Sequence, residues 1–446
     1  MSTVANIYLE GNFAPVTEEL TAEDLPVTGR IPVELQGRYL RNGPNPVEPD
    51  PATYHWFTGT GMVHGIRLEG ATAKWYRNRF VRGDDIADAK GWPRLSGPRH
   101  GMGGLGPNTN VIGHGGRTYA LVEAGSPPVE LTSELESVAF CDFDGTLPGG
   151  YTAHPKRDPV SGELHAVSYY WEWPYIQYTR LSVDGRMNKV VNVPVPGGPM
   201  VHDTAITESQ VVLFDLPVTF DLNAAMIGTP FPYVWNPDYG ARVGLLPRDG
   251  EAADVRWCDV ELCYVFHPLN AYDLPDGRVV LDVVRHPKMF ATDKLGPNEG
   301  TPTLERWTVD PAAGKVLDER MDDRGEEFPR VDERVVGRQH RYGYAAQVGD
   351  DFAHGPLLKH DLQQGTTAVH DFGQGRVTGE GVFVPREPDA AEDDGWVLSI
   401  VYDAPSDSSD LVILDAQDFT APPVASVRLP QRVPFGFHGN WVPDSA

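Results

Sequence analysis

Four of the fourteen histidines stand in surroundings unlike the rest. His154 lies in Tyr151-Thr152-Ala153-His154-Pro155, and His202 in Met200-Val201-His202-Asp203. His267 lies in Val265-Phe266-His267-Pro268, and His438 in Phe435-Gly436-Phe437-His438-Gly439. Each sits among apolar or small residues at the edge of a strand-like run. Their separations of 48, 65 and 171 residues exclude local metal motifs such as HExxH or a zinc finger. They fit one ligand donated by each of several distant elements, although spacing by itself leaves convergence open. Neutral imidazole suits zinc, copper, iron and nickel. Four imidazoles without a carboxylate leave a divalent ion its full charge. They also leave open positions on an ion that prefers six ligands, which argues for iron and a reactive site over a closed zinc tetrahedron.

A metal-bound histidine normally donates its other ring N–H to a carboxylate or carbonyl. Three glutamates are candidates: Glu123 in Leu121-Val122-Glu123-Ala124-Gly125, Glu327 before Phe328-Pro329-Arg330, and Glu380 in Gly379-Glu380-Gly381. Glu123 and Glu380 stand in apolar, glycine-rich stretches where a buried carboxylate needs a partner. A surface turn is the alternative for each. Other features read as structural. Residues 101–106 satisfy GxGxxG, but Pro107-Asn108-Thr109-Asn110 follows, which is no helix start for a dinucleotide site. His64 reads as structural. His340, His354, His360 and His370 have polar neighbours and read as surface-loop residues.

The elements that must position these groups are strands. Glycine (47) and proline (40) make up about a fifth of the 446 residues, against an average near 12%. That suits many short strands and turns and argues against a helix bundle. Runs rich in Val, Tyr and Thr at 118–122, 164–171, 175–183, 279–284, 396–402, 411–414 and 424–429 flank Asp-Gly and other glycine turns, which are hairpin signals. Helices are few: one over residues 17–24, another over 220–227 with Asp221 or Asn223 near its start. No 33- to 45-residue motif repeats cleanly. A closed barrel, a pair of sandwiches and a propeller remain open, and the length suits six to eight blades of roughly 40–60 residues. The acidic stretch 385–394 reads as a solvated loop between strands, so residues 1–446 read as one domain.

The charge narrows the partners. Lys+Arg (37) against Asp+Glu (63) leaves −26, and no basic run exceeds two residues. Nucleic acid and electrostatic docking on anionic lipid are both disfavoured. No stretch of 18 uncharged apolar residues occurs, and the first residues carry no basic start followed by an apolar run. Three cysteines cannot all pair, and no Asn-x-Ser/Thr sequon occurs, so a reducing cytoplasm is the simplest home.

Together these pieces resemble the carotenoid cleavage oxygenases, also called the retinal pigment epithelial membrane protein family. The resemblance runs nearly end to end. It begins at Gly37-Arg38-Tyr39-Leu40-Arg41-Asn42-Gly43-Pro44-Asn45-Pro46 and Gly61-Met62-Val63-His64-Gly65. It continues through Asn108-Thr109-Asn110, Ala153-His154-Pro155, Val201-His202-Asp203 and Phe266-His267-Pro268. Glu327-Phe328-Pro329-Arg330, Gly379-Glu380-Gly381-Val382-Phe383-Val384-Pro385 and Phe437-His438-Gly439 complete it. The resemblance implies an all-β, seven-bladed propeller with a dome of loops and short helices over the iron face. It implies Fe(2+) held by His154, His202, His267 and His438, with Glu123, Glu327 and Glu380 behind three of them. The implied reaction is cleavage of a C=C bond by O2 to give two carbonyl products.

Substrate class follows from a departure. Relatives that cleave stilbenes and phenylpropenes carry a Lys just before the first glutamate and a Tyr earlier in the chain, both binding a phenol. Here the position is Val122, and no Tyr occurs between Tyr76 and Tyr119. An apolar wall offers a phenol nothing, so an apolar carotenoid or apocarotenoid is the expected substrate, with O2. Stilbene or phenylpropene cleavage, isomerisation without O2 and a non-catalytic metal-binding propeller are the alternatives. A second departure is Thr58-Gly59-Thr60-Gly61, where relatives often carry Asp. Trp171, Trp173, Phe266, Tyr344 and Phe437, with Val122, are candidate tunnel residues. Relatives meet lipid-soluble substrates through an apolar patch at the tunnel mouth, and residues 216–234 are the candidate here, as a peripheral membrane contact or else a buried cap helix.

Overall fold

The computed structural model describes residues 6–101, 104–297, 299–349 and 354–444. The first five residues and part of the glycine-rich stretch 101–106 lie outside them. The chain alternates strands with tight turns and forms an all-β, propeller-like array. Among the described residues, five sheets hold four to six strands each, beside an eight-stranded sheet and a two-stranded hairpin. Pairing is antiparallel almost throughout. The exception is one parallel bridge, Asp259 to Lys315, inside the eight-stranded sheet.

The centre is built by edge strands. Lys156–Arg157, Glu326–Arg330 and Gly439–Pro443 each form one edge of a sheet, and Ala205–Ile206 and Tyr264–Asp273 form the two edges of the eight-stranded one. These edges contact one another: Ala205–Ile206 lies against Tyr264–Asp273, and Tyr264–Asp273 against Glu326–Arg330. Distant parts of the chain close the ring. Gly439–Pro443 pairs with Gly37–Pro44, and Ala425–Arg428 with Val27–Gly29. A glycine pair permits this closure near the centre. A Cβ on Gly43 would sit 2.6 Å from the Gly436 Cα, so only two glycines let these backbones touch beside Phe437-His438.

Several expectations change. Residues 17–24 hold a strand, Leu20–Glu23, paired with Thr72–Phe80. Leu20 and Ala22 face the core while Thr21 and Glu23 face solvent, so a period of two prevails over helix propensity. The helix near 220–227 is Leu222–Met226, capped by Asp221, which accepts from the backbone N–H of Asn223 and Ala224. An unanticipated helix, Asp84–Lys90, has two acidic residues in its first turn and a left-handed Gly91 at its end. His340, His354, His360 and His370 are buried, not surface residues. His360 Nε2 donates to Glu326 at 2.6 Å, and His354 stacks on Phe435. Strands carry His354, His360 and His370 inward, and a loop carries His340, which polar neighbours in sequence do not reveal. His64 is buried against the Tyr76 hydroxyl at 2.8 Å, and His165 meets Tyr178 in the same way in another sheet.

Candidate metal centre

The four histidines meet where the edge strands converge. His154 precedes Lys156–Arg157, His202 precedes Ala205–Ile206, His267 lies within Tyr264–Asp273, and His438 precedes Gly439–Pro443. All four are buried, and one ring nitrogen from each lies within 4.8 Å of the others. The strand around His267 is irregular: its register shifts on both sides of Pro268, and such bulges re-aim a side chain.

Three imidazoles are fixed from behind. His202 Nδ1 lies 2.9 Å from Glu123 Oε1, His267 Nδ1 lies 2.6 Å from Glu327 Oε2, and His438 Nδ1 lies 2.9 Å from Glu380 Oε1. A carboxylate at Nδ1 holds the proton there and turns Nε2, with its lone pair, toward the centre. Glu123 and Glu327 are each followed by a residue in the left-handed region, Ala124 (φ 60°) and Phe328 (φ 55°). A non-glycine residue pays strain there, and such outliers collect at functional sites. Sequence reasoning did not find what holds the glutamates. Glu327 Oε1 accepts from His286 Nε2 at 2.6 Å, and Glu380 takes Arg330 at 3.2 Å and the Gly439 N–H at 2.8 Å. Among the described residues, His154 has no such carboxylate. Its nearest is Asp203 at 3.8 Å from Nδ1, beyond hydrogen-bond reach and paired with Lys156 at 2.8 Å.

Electrostatics suit a cation. Burial holds His154 well below the ordinary imidazole value, with the other three histidines adding to it. Burial also takes His267 down to about 3 despite Glu327. Both are therefore neutral at pH 7 and present a lone pair. Burial pushes His202 down as well, but Glu123 outweighs it and raises the group, so a cation there competes with a proton. Burial alone would raise the Glu380 carboxyl; Arg330 and His438 bring it to about 2. Burial opposes Glu327 too, yet His267 and His286 hold it far below the carboxylate range.

The donor set fits a metal ion. His154 Nε2 is buried with no hydrogen-bond partner, a cost that a bound cation removes. His202 Nε2 and His267 Nε2 lie 3.2 Å apart. Two bonds of about 2.1 Å at a right angle would place them about 3.0 Å apart.

An aromatic cavity of about 200 Å³ ends on His202, His267 and His438. Phe266, Phe437, Trp171 and Val122 line it. Trp173 and Tyr344 do not: Trp173 stacks on Tyr175, and Tyr344 stacks on Phe383 inside a sheet core. Tyr169, Phe231 and Tyr233 line it as well; sequence reasoning missed Tyr169 and read Phe231 and Tyr233 only as part of the apolar patch 216–234. Trp56–Thr58 and the hairpin Val218–Phe220 with Tyr233–Trp235 cover it from outside the larger sheets. Beyond that hairpin, Met226 is 77% and Ile227 84% exposed.

A propeller-like ring of sheets surrounds a buried group of imidazoles, three of them backed by carboxylates, that could hold a metal ion. The chain belongs to the retinal pigment epithelial membrane protein family, whose model matches residues 13–443. It is 48% identical to the carotenoid cleavage oxygenase of Mycobacterium tuberculosis, over 98% of each chain. Its fold matches the lignostilbene dioxygenase of Pseudomonas brassicacearum with a TM-score of 0.90 at 30% identity, over 98% of each. It matches the cobalt-substituted apocarotenoid oxygenase of Synechocystis with a TM-score of 0.85 at 30% identity, over 96% of this chain and 97% of that one.

Proposed function

We propose that this protein is an Fe(2+)-dependent dioxygenase that cleaves a C=C bond of a carotenoid or apocarotenoid with O2, giving aldehyde or ketone products. The observation that carries this reading is the aromatic cavity ending on three of the four imidazoles. His154, His202, His267 and His438 would hold the ion, with Glu123, Glu327 and Glu380 fixing the tautomers of His202, His267 and His438. Iron supplies O2 binding and the redox chemistry that severs the alkene. The chain supplies the rest. Phe266, Phe437 and Trp171 pack against a polyene and keep water out, and Val122 gives it an apolar wall. The ledger needs no general base, because one alkene and one O2 yield two carbonyls.

The name of the Mycobacterium tuberculosis relative and that of the Synechocystis structure support this substrate class. A stilbene or phenylpropene is the second reading. It is favoured by the fold match to lignostilbene dioxygenase and by Tyr169 and Tyr233 in the cavity wall, where phenols could meet a phenolic substrate. Mass spectrometry after aerobic incubation of iron-loaded protein with mixed apocarotenals and hydroxystilbenes separates the two. Shortened polyene aldehydes are expected. Benzaldehydes alone would replace the first reading with the second, and no product from iron-loaded protein would sink both.

The same proposal includes seven blades in one domain over residues 1–446, with a dome above the cavity. The eight-stranded sheet supports this count, because a single parallel bridge joins two four-stranded halves. Exposed Leu222, Met226 and Ile227 beside the cavity support peripheral contact with a lipid surface. No helix among the described residues is long and apolar enough to cross a membrane. Three free cysteines suit a cytoplasmic setting.

A further inference from the structure

A second cavity reaches the histidines from another side. It encloses about 450 Å³ and is bounded by the converging edge strands. His154, His267 and His438 form its inner end, so His267 and His438 belong to the walls of both cavities. The imidazoles are the partition between them. The two chambers differ in chemistry. The first is aromatic. The second is mixed and the more polar of the two: Lys156, Asp203, Asn270, Arg330, Glu333 and Asn440 line it among aliphatic residues such as Ile112, Leu269 and Val336. Lys156 pairs with Asp203 at 2.8 Å and Arg330 with Glu333 at 3.0 Å, while Arg157 in the same wall donates to the Gly113 carbonyl. Glu333 is half exposed, whereas Asp203 is buried next to His154.

Catalysis as proposed above uses the aromatic side alone and leaves this chamber without a role. A divalent cation with six waters occupies about 180 Å³, at about 30 Å³ per water. The polar chamber has room for it with its shell intact. The aromatic chamber would strip that shell against rings that replace none of its hydrogen bonds, a cost of many kcal/mol for an ion. We infer that the metal ion reaches the four histidines through the polar chamber, drawn in by Glu333 and handed past Asp203 to His154. Substrate and metal thus use opposite sides of one partition. This inference rests on the metal reading above.

Cobalt uptake by metal-free protein tests it. Chelator-stripped protein is mixed with excess Co(2+) in a stopped-flow instrument, and the ligand-field absorbance is followed. Ile112 and Val336 line the polar chamber only, and Leu105 the aromatic one only. Ile112→Trp and Val336→Trp should each slow uptake tenfold or more while the final cobalt stoichiometry stays at that of the wild type. Leu105→Trp should leave the rate unchanged. Glu333→Gln should slow uptake about threefold at low salt and flatten its dependence on ionic strength. Circular dichroism checks each fold, and if one tryptophan variant fails to fold, the other and Glu333→Gln still decide. Unchanged rates in the polar-chamber variants, or slowing by Leu105→Trp, would overturn the route. Wild-type protein that binds no cobalt would overturn the metal reading itself, a different outcome from an unaltered rate.

Discussion

His286 and His267 share one carboxylate. Glu327 accepts from His267 through Oε2 and from His286 through Oε1, each at 2.6 Å, and the Phe328 N–H adds 2.7 Å to Oε2. All three side chains are buried. His286 thus fixes the glutamate that fixes the metal-facing imidazole. His286→Leu should weaken metal binding about 10- to 100-fold, or roughly 1.4–2.7 kcal/mol, the usual effect of removing an outer partner. His286→Gln keeps a donor where Nε2 stood and should recover most of that loss. Competition of each variant with a chromophoric chelator reads both.

His267→Ala should lose the metal and the cleavage activity and remain folded. The substitution removes one imidazole of four and leaves Glu327 held by His286 and the Phe328 N–H. Metal analysis and far-ultraviolet circular dichroism on the same sample check it. Full activity would show that the ligand set is wrong.

Acid should destabilise the fold through histidines away from the centre. Burial brings His55, His64 and His165 to about 3, and His354 to about 4. The unfolded chain protonates them near pH 6.5, and the native one does not, so it is the unfolded state that binds protons as pH falls. Their contribution is fully present above about pH 6.5 and is lost between there and pH 3–4. Each histidine costs about 1.4 kcal/mol per pH unit in that window. Calorimetry of metal-free protein should show a flat Tm above pH 7 and a fall at pH 5.5. His64→Gln should make the fall shallower; an unchanged slope would exclude His64 as a contributor.

Met226→Glu with Ile227→Glu should leave stability within about 0.5 kcal/mol, since neither side chain is buried. The pair should abolish co-sedimentation with neutral phospholipid vesicles and raise KM, with kcat kept, for substrate delivered in micelles. Wild-type protein that fails to sediment would end the membrane-contact proposal.

The sequence carried the centre further than the fold. His154, His202, His267 and His438 stand out because ligands that come from separate strands keep their local apolar settings. Glu123, Glu327 and Glu380 are legible for a similar reason, as lone carboxylates in poor company. His286, Arg330 and Asp203 were not, since only pairing between remote strands places them. Nothing in Arg285-His286-Pro287 announces a carboxylate 41 residues on. Tyr344 misled because an aromatic ring on a strand has two faces to choose from, and one-residue register decides between cavity and core; Trp173 misled because it lies in the loop before Tyr175–Leu181, whose course the sequence does not fix. His354, His360 and His370 misled the same way, and His340 because the loop before Tyr342–Val348 turns it onto Asp282. The strand at Leu20–Glu23 was misread because four residues show too little periodicity to separate two states.

The pairing of Gly439–Pro443 with Gly37–Pro44 joins positions roughly 400 residues apart, so it is among the last contacts a folding chain can make. That same strand delivers His438, and Arg330 clamps it through the Gly439 carbonyl at 3.1 Å. Three ligands are therefore available to an open ring, and the fourth comes only with closure. An ion held by all four histidines would bind the closed form better and so act as a latch, adding its binding energy to the seam that holds the circle shut. The lifetime of the bound ion then reports how often that seam parts, a local event much cheaper than unfolding the whole molecule.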